Sequence, residues 1–144
     1  MKLITDLKQN CLEPASVALG CFDGIHLGHQ AVIGPAVADK MNGLTPSVFT
    51  FQENPLQVLT GNTVPTLLAP ETRNQIFEEI GVEQVFIPSF REVMNLEAEE
   101  FIHTVLKQYC KAEKVYCGFN FHFGKGGKAG SKELKQLGEK YGIE

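Results

Sequence analysis

Apolar runs of strand length alternate with stretches of helical period along this chain, joined by short links. Residues 16–21 (SVALGC), 47–51 (SVFTF), 84–88 (QVFIP) and 114–117 read as strands, rich in β-branched, aromatic and small apolar side chains. Between the first two, 27–41 carries an imperfect helical stripe with Pro35 inside it, which predicts a bend or a break. Asn54-Pro55 marks a turn or a short helical start. Pro70 and Glu71 open a helix with proline in its first turn and acid at its positive end, and Gly81 stops it. Further helices are predicted over 96–109 and 132–141, the last with Ser131 as N-cap. This order predicts an α/β domain, a doubly wound and mostly parallel sheet with helices on both faces. Such sheets bind ligands beyond the carboxyl ends of their strands, at the switch point. Chemistry is therefore expected after Cys21, Phe51, Pro88 and Cys117, and the long irregular connection 52–69 is a further place to look.

At 144 residues the chain has room for one hydrophobic core and not for two ordinary ones. No stretch approaches the roughly 20 apolar residues of a membrane helix, and MKLITDLKQN lacks the features of a signal peptide, so a cytoplasmic location is expected. Cys11, Cys21, Cys110 and Cys117 show no metal-ligand spacing with the four histidines and read as free thiols of a reducing compartment, so no metal site is predicted. The net charge of −4 argues against a nucleic-acid partner. Eight Glu against two Arg over 71–100 read as a solvated face, whereas six Lys against two Glu over 111–135 surround a glycine-rich loop able to receive a small anion.

Directly after the first strand stands Gly20-Cys21-Phe22-Asp23-Gly24-Ile25-His26-Leu27-Gly28-His29. Two histidines three apart at a helix start share a face. The same place offers unpaired N–H groups and the positive end of the helix dipole, which suits phosphate. Gly24 and Gly28 would let a ligand approach the backbone closely. The pair is also compatible with surface histidines or with caps on neighbouring carbonyls. Zinc fits less well, for want of a third ligand nearby. GxGxxG is absent, and Gly124-Lys125 is followed by Gly126 where a P-loop needs Ser or Thr.

A second constellation follows the fourth strand, 118–130 (GFNFHFGKGGKAG), with five glycines, three phenylalanines and two lysines. Such a loop can wrap a planar or phosphorylated ligand. Clustered phenylalanines normally cover something, which weighs against a mere surface loop.

GCFDGIHLGH resembles the first signature of the bacterial FAD synthetase family, the FMN adenylyltransferase module of bifunctional riboflavin kinase/FAD synthetases. Its HxGH core is shared by the wider nucleotidyltransferase superfamily, and the extended GxFDGxHxGH is much more specific. Gly118, Asn120, Phe121, Phe123 and Gly124 match a second signature, GxN/DFxFG. Residues 48–55 (VFTFQENP) look like the family's TFxPHP-type strand end, with Thr50, Phe51 and Pro55 matching. Glu53-Asn54-Pro55 stands where many members carry Pro-His-Pro, so no role carries over to Asn54.

The resemblance covers about 16–142 and implies a Rossmann-like nucleotidyltransferase fold. It implies adenylyl transfer from ATP to FMN, with Mg²⁺ accompanying ATP, and no membrane or nucleic-acid partner. His26, His29 and Asp23 would be catalytic. Gly20, Phe22, Gly24, Gly28, Thr50, Phe51, Pro55, Gly118, Asn120, Phe121, Phe123 and Gly124 would line the site. Arg73 and Lys125 are candidate charge partners to which no role is assigned. Residues 1–144 are thus expected to form an FMN adenylyltransferase-like nucleotide-binding domain lacking its C-terminal part, an SSTxIR-type signature and a following riboflavin kinase domain. Two alternatives stay open: another phosphorylated acceptor, such as pantetheine phosphate, nicotinamide mononucleotide or glycerol phosphate, or a non-catalytic nucleotide- or flavin-binding fragment.

Overall fold

The computed structural model describes residues 1–6, 13–20, 27–53, 55–61, 70–118 and 121–144, with the side chains of 27–30, 55–57 and 70 left aside. Five parallel strands form the sheet: β1 (Lys2–Ile4), β2 (Ala15–Leu19), β3 (Thr45–Phe49), β4 (Gln84–Phe86) and β5 (Ala112–Cys117), in the order β1-β4-β3-β2-β5. The expected parallel, doubly wound arrangement is thus present. β1 was not anticipated, because its three residues, KLI, are too few to show a period.

Period-two alternation divides the core between the two faces. Val17, Leu19, Phe49 and Phe86 point to one side, where Phe101, Ile102, Val105, Leu106 and Leu134 cover them. Ala18, Val48 and Val85 point to the other, where Ile33, Ala36 and Phe77 pack. The second cover comes from α1 (Leu27–Ala38) and α3 (Pro70–Ile80). The first comes from α4 (Phe90–Val93), α5 (Ala98–Glu100) and α6 (Ser131–Lys140). α5 continues as a π-helix over Phe101–Tyr109, and the Cys110 N–H bonds five residues back to the Val105 carbonyl at 3.0 Å. A register shift at the start of β5 resets its alternation: Ala112 and Val115 face the first cluster, while Tyr116 packs against the second.

Two expectations need correcting. The break that Pro35 allowed for does not occur, since α1 runs through it as one helix; Pro35 and Ala31 are both exposed, so the carbonyl that proline leaves unbonded is on the side of solvent. The N-cap of α6 is Gly130, not Ser131, because the Glu133 carboxylate accepts the Gly130 N–H at 2.8 Å and fixes the helix start one residue earlier.

The base of α1 is held by a buried carboxylate. Asp39, just past α1, accepts hydrogen bonds from the Ser16 hydroxyl (2.7 Å), the Tyr116 hydroxyl (2.8 Å) and the Asn42 amide (3.3 Å), with Lys114 Nζ at 3.6 Å. Burial alone would raise its carboxyl; the bonds from Ser16, Tyr116 and Asn42 and the charge of Lys114 together hold it below its ordinary 3.8. Burial, and then the Asp39 carboxylate beside it, pushes the Tyr116 phenol up to about 12. Because the folded state holds the Asp39 proton less tightly than the unfolded chain, this contribution is complete above pH 3.8 and is lost as pH falls through the lower folded value. Asp39→Asn is expected to cost about 3 kcal/mol at neutral pH, as breaking a buried charged pair does, and to flatten the acid limb of melting temperature against pH. Scanning calorimetry from pH 2 to 7 checks both.

Candidate functional site at the β2–β5 switch point

β2 is the strand where the winding reverses. From it the chain moves through α1 to β3 on one side, while the later crossover over 98–109, on the opposite face, delivers β5 to the other side. The chain goes from β2 to α1 on one face and from β5 to α6 on the other; in sheets of this class such a parting leaves a ligand-binding crevice at the carboxyl edge. Leu19 is in register with both Phe49 and Cys117, so Gly20 and Gly118 are the next residues out on neighbouring strands. Both signature segments thus start at the two lips of one crevice. Gly20 remains tied to the sheet by its N–H to the Phe49 carbonyl, 3.1 Å. α1, which packs on β2, β3 and β5, begins at Leu27 and brings the backbone of Gly28 and His29 into its first turn at this edge. Phe22, Asp23, Gly24, His26 and Asn120 lie outside the described residues, as does the side chain of His29.

The end of β3 lies beside that of β2. Thr50 is fully buried and its N–H bonds to the Phe86 carbonyl at 2.9 Å; the Gln52 N–H reaches the Pro88 carbonyl at 3.1 Å. Pro55 opens α2 (Pro55–Thr60). Phe51, half-buried, stands edge-to-face with Phe49 (5.6 Å, 89°) and with Phe90 (5.1 Å, 76°). Phe49 meets Phe101 (5.7 Å, 89°), Phe101 meets Phe123 (5.5 Å), and Phe123 stacks near Phe121 (6.2 Å, 17°). Six phenylalanine rings thereby connect the β3 end to the loop after β5. Phe49, Phe90 and Phe101 were not among the expected site residues; the ring contacts that join them to Phe51 and Phe123 are tertiary ones that no motif marks.

Past Phe121 the glycine-rich loop closes on itself. Phe123 and Ala129 exchange N–H···O bonds of 2.9 and 3.1 Å, and the Gly127 N–H returns to the Gly124 carbonyl at 2.9 Å. Lys125 and Lys128 stand exposed at the tip. Gly124 has φ +78, and a Cβ there would lie 3.1 Å from the Ala98 backbone, so the loop rests directly on α5. Arg73, on α3, is half-buried and already has a partner.

A cavity of about 620 Å³ runs along the outer edge of β5, walled by Ala31 and Val32 of α1, Val115 and Cys117, and Leu134 and Gly138 of α6. Burial pushes the Cys117 thiol up, so it remains a neutral, largely apolar wall group. Among the described residues no three of His, Cys, Asp and Glu come together as a metal-ligand set.

The fold and strand order define a doubly wound α/β domain whose switch point lies between β2 and β5. The FAD synthetase family profile matches residues 8–144, and the chain belongs to this family. A bifunctional riboflavin kinase/FMN adenylyltransferase of Bacillus subtilis is 39% identical over 124 residues, covering 82% of this chain and 38% of the relative. Its counterparts in Escherichia coli K12 and Listeria monocytogenes are 29% and 32% identical, covering 100% and 85% of this chain and 48% and 40% of their own. The chain thus spans less than half the length of these relatives. A crystal structure described as a macrolide-efflux protein from Streptococcus pneumoniae matches with a TM-score of 0.79 at 30% identity, over 94% of this chain and 54% of that one. Efflux is that protein's description alone; among the described residues here no helix is long and apolar enough to cross a membrane.

The loop contacts predict an unequal pair of glycine substitutions. Gly124→Ala is expected to destabilise by about 3 kcal/mol, since it adds a backbone clash to a conformation few residues other than glycine adopt. Gly126 (φ +73), whose Cβ would meet nothing nearer than Lys128 Cε at 3.6 Å, should cost only about 1 kcal/mol as alanine. Urea denaturation of both variants measures the difference.

Proposed function

We propose that this chain transfers the adenylyl group of ATP to FMN, forming FAD and releasing pyrophosphate. The observation that carries the reading is the shared register of Leu19 with Phe49 and Cys117, which starts both signature segments at one crevice. The names of the relatives, all FMN adenylyltransferases, support the acceptor.

In this reading an FMN phosphate oxygen attacks the α-phosphorus of ATP, the bond to the β-phosphate breaks, and pyrophosphate leaves. The attacking oxygen is already anionic, so catalysis rests on alignment and charge stabilisation. His26 and His29 donate hydrogen bonds to phosphate oxygens, joined by N–H groups of the α1 N-terminus. Asp23 orients a histidine or the ribose. Asn120 contacts phosphate or adenosine. Gly20, Phe22, Gly24 and Gly28 let the phosphates approach the backbone, while Thr50, Phe51, Pro55, Gly118, Phe121, Phe123 and Gly124 shape the pocket. Mg²⁺ belongs to the reading as the ion ATP carries, neutralising triphosphate charge; with no ligand cluster among the described residues, its fit rests on the triphosphate and on Asp23. The apolar cavity along β5 has the volume range of small-molecule sites and room for a nucleoside. A cytoplasmic location, where ATP and FMN are available, belongs to the same proposal.

Incubating the chain with ATP, Mg²⁺ and FMN should yield FAD, resolved by chromatography, and His29→Ala should slow it roughly 10²-fold, as removal of one oxyanion donor can. FAD formation unchanged in the variant overturns the role of His29. Pyrophosphate release that is faster with pantetheine phosphate, nicotinamide mononucleotide or glycerol phosphate overturns the acceptor. Calorimetric binding of ATP and FMN without turnover makes the chain a binding module.

A further inference from the structure

Beyond the end of β3 the chain continues beside the segment leaving β4 through side-chain bonds that extend the sheet ladder. The Gln52 amide donates to the Ile87 carbonyl at 3.0 Å. Glu53 then closes the series. One of its oxygens accepts the Phe90 N–H at 2.8 Å, and the two oxygens lie 2.9 and 3.2 Å from the Ser89 hydroxyl. Ser89, the N-cap of α4, accepts the Arg91 N–H at 3.3 Å. The Glu53 carboxylate is thus engaged with the start of α4, and what it fixes is the backbone of Phe90.

Phe90 is the outer ring against Phe51, and Phe49 is the inner one. Gripped edge-to-face from both sides, Phe51 is only partly buried, two residues past the end of β3. A ring held in this way is suited to stack on a planar heteroaromatic ligand without losing rotamer freedom on binding. We infer that Glu53 is a positioning residue for the acceptor: acting through Phe90, it sets the Phe51 ring on which an isoalloxazine-class heterocycle stacks. The inference rests on the function proposed above. Glutamate accepts from both donors at once, glutamine keeps one carbonyl oxygen for the purpose, and alanine keeps none.

The test uses the full chain and measures FMN binding by flavin fluorescence quenching and ATP binding by calorimetry. Glu53→Ala should weaken FMN binding about tenfold, the loss of roughly one charge-assisted contact, while ATP affinity stays within about twofold. Glu53→Gln should recover most of the loss. Phe90→Leu, which keeps apolar volume without the ring edge, should reproduce the defect, and the double variant should be no worse than either single one because both act through the same ring. If Glu53→Ala does not fold, Phe90→Leu carries the test: selective loss of FMN affinity supports the inference, and wild-type affinity overturns it. FMN binding unchanged in Glu53→Ala, equal losses for FMN and ATP, or additive effects in the double variant overturn it while leaving the proposed function intact. A wild-type chain that binds ATP but not FMN overturns the acceptor reading and this inference together.

Discussion

The structure depends first on β2 having a parallel partner on each side in the same register. A parallel ladder needs a crossover for every step, so β2 cannot be flanked on both edges unless the chain winds once over each face of the sheet. Leu19 lies opposite Phe49 on one side and Cys117 on the other, almost a hundred residues further along, and the two crossovers leave from opposite faces. The crevice follows from this pairing. It needs no special sequence of its own, which explains why ligand chemistry can vary among folds of this class while its place does not.

The second constraint is aromatic. The loops at the carboxyl edge come from segments far apart in the chain, and backbone bonding alone links only neighbouring ones. The run of rings from Phe90 through Phe51, Phe49, Phe101 and Phe123 to Phe121 couples α4, β3, the 98–109 helix and the glycine loop. Each edge-to-face pair adds only about 1 kcal/mol beyond its burial. Their importance lies in geometry: rings in contact cannot be shifted singly, so the β3 end and the glycine loop hold one another in place.

The strands and the parallel sheet were legible because each depends on short-range signals. β-branched runs, a Pro-Glu helix start and a glycine stop are read within a few residues, as the match at Pro70–Ile80 illustrates. The miscalls share a different cause. Pro35 is tolerated because of which side of α1 it occupies, Gly130 caps α6 because Glu133 reaches back to it, and β1 becomes a strand only because β4 is there to pair with it. Glu53 belongs to the same kind. Nothing in its spacing marks it, since its partners, Ser89 and Phe90, lie more than thirty residues away. Tertiary partners decide these cases, and a single sequence does not display them.

The Asp39 cluster ties these threads to the site. α1 spans twelve residues, about 18 Å at the usual rise, with its first turn at the crevice and Asp39 just beyond its last. Through Ser16 and Tyr116, Asp39 bonds to β2 and β5 together, the two strands whose links part to make the crevice. A helix anchored only by apolar packing can slide along the sheet by small amounts at little cost, because such contacts are non-directional. Hydrogen bonds of 2.7 and 2.8 Å to two different strands leave no such freedom. Because the helix is rigid along its length, fixing its far end to both strands also fixes where its first N–H groups stand relative to the two lips of the crevice. The buried carboxylate therefore governs, from the far end of the helix, where the first turn of α1 stands at the carboxyl edge between β2 and β5.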